Sequence, residues 1–107
     1  MVKYQQVPDA PLTRDEAKEA LNRCLRDGNV SYTRHFRDEL LNDDLDMGDI
    51  LRVCRSGAIR MAPEKDIKTG QWKYRIEGLT ADGRRIAIVF AFRSELAVFI
   101  TAFEKWQ

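Results

Sequence analysis

The hydrophobic period changes once along this chain, and that change constrains the fold more than any single motif. Up to Gly57 the apolar residues recur at helical spacing, and from Ala58 onward they alternate. Ala17, Ala20, Leu21, Cys24 and Leu25 make one helical stripe behind a capping box at Thr13 and Glu16. Gly28 suits the left-handed residue that ends such a helix. A connector at 29–32 leads into a second helix predicted over 33–42, with Phe36, Leu40 and Leu41 on its apolar side. Asn42, Asp43 and Asp44 break it, because their side chains compete for local backbone bonds. Asp46 is the next N-cap, with Asp49 at the third helical position, and Met47, Ile50, Leu51 and Cys54 form the stripe that Gly57 closes.

The second half reads as sheet. A short strand is expected over 58–62, a polar loop over 63–70, and then a strand in which Trp72, Tyr74 and Ile76 alternate with Lys73, Arg75 and Glu77. Ala81, Asp82 and Gly83 supply a hairpin turn. Strands at 84–92 and 96–103 follow, the last apolar on both faces and therefore central. The expected fold is α+β: three helices packed on a four-stranded, mostly antiparallel sheet. Residues 1–12, with Pro8 and Pro11, are expected to be an irregular arm, and 13–107 a single domain. Trp106 is a candidate for a partner contact or for docking the tail.

Composition narrows the functional classes. With 44% hydrophobic and 33% charged residues, the 107-residue chain can build a core under a solvated surface. No apolar run approaches the roughly 20 residues that cross a bilayer, and the start, MVKYQQVPDAP, lacks the apolar segment of a secretory signal. Cys24 and Cys54 fall in helical apolar stripes, so they read as core residues of a protein in a reducing, cytoplasmic setting. The net charge of +1 conceals an asymmetry: residues 1–54 carry 8 Lys/Arg against 11 Asp/Glu, whereas 55–107 carry 10 against 6. A basic C-terminal half is compatible with a phosphate-binding face, and equally with scattered solvated charge.

Gly-rich phosphate loops, metal-ligand clusters and nucleophile elbows are absent, so no cofactor and no metal are expected. His35 is the only histidine. Four residues separate it from Glu39, which places both on one helical face, where a carboxylate holds an imidazole in one tautomer. His35 then serves as a general acid or base, or alternatively caps its turn and bonds to the sheet. Arg34 and Arg37 flank it. Lys73 and Arg75 share a strand face, and Arg84 and Arg85 open the next strand. Such a cluster clamps phosphate, or forms the wet face of a meander. Trp72, Tyr74, Phe90, Phe92 and Phe99, at alternating strand positions, read as core.

The run from Ser31 to Leu40 (SYTRHFRDEL), then Leu45 to Leu51, Gly57-Ala58-Ile59, Trp72 to Gly78, Asp82-Gly83-Arg84 and Val98 to Thr101 together resemble the DUF4258 domain over about residues 17–104. That family looks related to RelE-like toxin folds of the BrnT and MqsR kinds. Gly28-Asn29-Val30 and Thr33-Arg34 are similar to the MqsR-like part. The resemblance implies an antiparallel sheet flanked by helices and, in toxin members, metal-independent RNA cleavage by 2′-hydroxyl attack, neutralised by a cognate antitoxin. His35, Glu39, Arg75 and Arg84 match the pattern and are the candidate catalytic residues. Arg34, Lys73 and Arg85 are the candidate RNA contacts. The near-neutral charge and the acidic stretch Asp43-Asp44-Leu45-Asp46 depart from strongly basic toxins. They leave an alternative of a different class: a non-enzymatic protein-binding module, such as an immunity or phage-encoded inhibitor protein. The expected partners are accordingly RNA, and an antitoxin or another protein, with no membrane.

Overall fold

The computed structural model describes residues 10–105, so Trp106 and most of the expected N-terminal arm lie outside the described residues. Within them the elements run α1 (Arg14–Asp27), β1 (Val30–Tyr32), α2 (Arg34–Asn42), α3 (Met47–Ser56), β2 (Ala58–Ile59), β3 (Glu64–Lys65), β4 (Trp72–Leu79), β5 (Arg85–Arg93) and β6 (Leu96–Glu104). The architecture is α+β, with three helices and one open, mostly antiparallel sheet.

The helices start and stop where side-chain chemistry dictates. Thr13 and Glu16 form a reciprocal capping box at α1, and Gly28, at φ 74°, ends it in the left-handed conformation. Asp46 and Asp49 form a second box at α3, and Thr33 caps α2 by accepting the Phe36 amide. Gly57 ends α3 for a different reason. Its backbone is extended, and a Cβ there would sit 2.4 Å from both the Glu77 and the Val53 carbonyl oxygens. The end of α3 thus meets β4 backbone to backbone, which only a glycine permits.

The sheet has six strands rather than four. Its order is β1-β6-β5-β4-β2, with β3 also paired to β4. The expected connector at 29–32 is in fact β1, a parallel partner of β6 in the register Val30 with Ala97 and Tyr32 with Phe99. Three residues carry no readable alternation, and β1 exists because the edge of β6 supplies its hydrogen bonds. The expected loop at 63–70 contains β3, whose Glu64 and Lys65 pair with Lys73 and Trp72. The strand expected over 58–62 stops at Ile59. The position of β6, between β1 and β5, agrees with its apolar sequence on both faces.

All three helices contribute to one core against one face of the sheet. Phe36, Leu21, Ile50 and Val53 pack with Ile76, Ile86, Ile88, Phe90 and Phe99, all fully buried. Both cysteines are buried and neither forms a disulfide. Burial pushes the Cys54 thiol up to about 12. No helix among the described residues is long and apolar enough to cross a membrane.

Candidate functional site at the open edge of strand six

β1 pairs with only the first part of β6, and α2 takes over the remaining edge. The Thr33 amide donates to the Phe99 carbonyl at 3.0 Å, and the Thr33 hydroxyl donates to the Ile100 carbonyl at 3.0 Å. Phe36 stacks on Phe99 with ring centroids 5.3 Å apart. One turn further on, Glu39 Oε1 accepts the Ala102 amide at 3.0 Å and the Thr101 hydroxyl proton. Its other oxygen, Oε2, lies 3.3 Å from His35 Nε2. The carboxylate therefore covers the strand edge and fixes the imidazole together. The His35 side chain is 66% exposed, open to a ligand while held from behind.

Thr101 reaches this position through a β-bulge. Val89 pairs with Thr101 and Phe90 with Phe99, so Ile100 is the extra residue. Strict alternation from the buried Phe99 would turn Thr101 into the core. The bulge turns it instead to the helix-free face, where Arg75, Val89 and Thr101 form one row across β4, β5 and β6. Two strand spacings separate Arg75 from Thr101, about 10 Å between Cα atoms. A cleft of about 170 Å³ opens on this row, lined by Met61, Ala62, Glu64, Lys73, Arg75, Val89, Ile100 and Thr101 among others. Its β6 wall is Ile100 and Thr101, the latter the residue whose hydroxyl donates to Glu39.

The fold divides the expected cluster of Lys73, Arg75, Arg84 and Arg85. Arg75 belongs to the cleft but is also tied down: its Nε lies 3.0 Å from Glu77 Oε2, and its guanidinium sits 5.1 Å over the Phe103 ring. The Nε–H is not aimed along that pairing, so the contact is an ion pair rather than a directed hydrogen bond. Glu77 is only 4% exposed, and Lys105 Nζ, 3.2 Å from its Oε1, completes the neutralisation of this buried carboxylate. Lys73 Nζ stands 3.9 Å from Asp66 in the β3–β4 turn.

Arg84 is not brought to His35. Its Nη1 donates to the Asp43 carbonyl at 2.8 Å and its Nη2 to the Asp44 carbonyl at 3.0 Å, with Glu104 and Asp82 alongside. Asp43 caps the far end of α2 from His35, eight residues or about 12 Å along the axis. Arg84 therefore clamps the α2–α3 loop, where a cation also favours the helix C-terminus. Arg85 pairs with Leu79 and Arg34 is exposed beside His35. Arg85 and Arg34 thus stand on different elements from the cleft's cations, Lys73 and Arg75. Among the described residues, no group of three or more His, Cys, Asp or Glu is arranged to hold a metal ion.

Sequence reasoning missed Thr101. Its one signal was a lone hydroxyl in an otherwise apolar strand, and the bulge that aims it leaves no mark in the pattern.

The profile described as "Domain of unknown function (DUF4258)" matches residues 32–104. The chain belongs to the DUF4258 family. No curated protein and no solved structure matches it. The DUF4258 match opens at Tyr32, so it leaves α1 outside and contains α2, the bulged β6 and every member of the His35, Glu39 and Thr101 chain.

Proposed function

We propose that this DUF4258 protein binds RNA across the helix-free face and cleaves it without a metal, with His35 as the proton-transfer group. The observation that carries the reading is an exposed imidazole oriented by Glu39, whose carboxylate also accepts the hydroxyl of a cleft residue, Thr101. Such an arrangement fixes the tautomer and direction of a general base. Neutral His35 takes the proton of the RNA 2′-hydroxyl, and the 2′ oxygen bonds to the adjacent phosphorus. The bond from phosphorus to the 5′ oxygen breaks, and the departing oxygen takes its proton from water. The products carry a 2′,3′-cyclic phosphate and a 5′-hydroxyl. Lys73 and Arg75 offset charge on the pentacoordinate intermediate. The resemblance to RelE-like toxins supports the same chemistry, and an antitoxin of such a toxin is expected to cover His35.

The test is incubation of the purified protein with a labelled single-stranded RNA in EDTA, beside His35→Ala, with the ends of the products mapped. Expected is cleavage that falls by about 10²-fold or more in the variant. Equal cleavage by both proteins removes His35 from the mechanism, and RNA left intact by wild type and variant alike overturns the reading.

A second reading has its own support. Leu41, 77% exposed, and Met47 flank the acidic stretch Asp43 to Asp46, a surface suited to a basic, apolar protein partner. Intact RNA together with a specific protein captured through Leu41 favours this binding role.

A further inference from the structure

We infer that the cleft beside Thr101 holds a single unpaired nucleobase, guanine before the others. The inference rests on the RNA reading above and specifies what the same face recognises.

Size comes first. Sites for drug-sized ligands run to about 300–1,000 Å³, so a cleft of about 170 Å³ takes one ring system and excludes a stacked pair. Its chemistry also suits a flat heteroaromatic ring. Val89 and Ile100 supply an apolar floor, and Met61, 46% exposed at the rim, places a polarisable thioether where a ring face would lie. Polar residues share that lining: Glu64, Thr101 and Lys73. Bases of single-stranded RNA are read in this manner, with apolar contact on the ring and hydrogen bonds on the edge. A base in a duplex is already stacked and paired and cannot enter.

Glu64 sets the preference. It pairs with Lys73 across β3 and β4, which places it on the cleft side of the sheet. An ionised carboxylate only accepts hydrogen bonds. Guanine presents two adjacent N–H donors on its pairing edge, and the other bases do not. A base held here leaves its sugar and phosphate among the cleft residues Lys73, Arg75 and Thr101.

The test is fluorescence anisotropy of labelled heptauridine whose central base is U, G, A or C, at about 50 mM salt, where charge attraction is strong. To prevent turnover, His35→Ala is the binding protein and the parent in which the other changes are made. The G-centred strand is expected to bind about fivefold or more tighter than the others, and Glu64→Gln to reduce that preference below about twofold. Ala62→Trp, on an exposed loop away from the core, fills the cleft. It is expected to weaken G-centred binding by about fivefold or more with an unchanged melting temperature.

Equal affinities for all four strands, unaffected by Ala62→Trp, overturn the base pocket while leaving RNA binding standing. Weakening by Ala62→Trp without any base preference places backbone in the cleft and also overturns the proposal. Absence of binding by every strand, wild-type protein included, defeats the RNA reading on which it rests.

Discussion

The Glu39 carboxylate accepts the Ala102 amide at 3.0 Å, joining the middle of α2 to the uncovered edge of β6. One side chain thereby closes a sheet edge that β1 is too short to reach, and its second oxygen sets the position of His35. Glu39→Ala strands the Ala102 N–H and the Thr101 hydroxyl, and the expected cost is about 1–3 kcal/mol in urea unfolding. Glu39→Gln keeps an acceptor for Ala102 and is expected to recover most of that stability. An alanine variant as stable as wild type would show that the edge contact is not formed in solution.

Arg84 bonds two consecutive carbonyls of the α2–α3 loop, Asp43 and Asp44. Asp44 holds φ 55°, so this loop is also conformationally demanding. Arg84→Ala is expected to cost about 1–3 kcal/mol and to speed amide exchange at Asp44 and Leu45, whose N–H groups bond Leu41 and Leu40. Exchange confined to its wild-type rate would contradict the clamp.

Gly57 and Gly78 meet where α3 ends on β4. A Cβ on Gly57 would fall 2.4 Å from two backbone oxygens, neither of which moves without shifting a helix or a strand. Gly57→Ala is expected to destabilise by about 1–3 kcal/mol despite alanine's ordinary backbone preferences. Thermal unfolding measures it, and a neutral result would mean that the two elements sit further apart.

Cys54 is fully buried, and its thiol is pushed up to about 12 by desolvation. At pH 8 it is a thiol, not the nucleophilic thiolate. A disulfide reagent at that pH is expected to leave Cys54 unmodified in the native protein and to label it after denaturation. Rapid native labelling would require the α3 face to open.

The two turns flanking β4 carry acid-sensitive carboxylates. The Thr80 hydroxyl, assisted by Arg84, holds Asp82 below its ordinary 3.8, and the Thr69 and Lys68 amides do the same for Asp66. A lowered folded-state pKa means that stabilisation is complete above 3.8 and fades as pH falls through the lowered values. Carboxyl NMR titration is expected to place both midpoints below 3.8, with the Lys68 and Thr69 amides losing protection over the same pH range. Midpoints at or above 3.8 would deny those bonds.

Much of this fold is local and was legible residue by residue. Thr13 with Glu16 and Asp46 with Asp49 mark helix starts because a capping box acts within four residues. Trp72 through Ile76 reads as a strand because alternation is a property of the strand itself. The pairing of His35 with Glu39 was also local, one turn apart on one helix. The sequence by itself thus determined the helices, the long strands, the turns and the dyad. Tertiary structure decided what depends on distant neighbours. It made Val30–Tyr32 a strand by supplying the edge of β6, and it bulged Ile100 so that Thr101 faces the cleft and Glu39. It also assigned Arg75 to Glu77 and Arg84 to a loop. A guanidinium on a flexible stem bonds whatever acceptors fold beside it, so its role is settled only when the chain has closed.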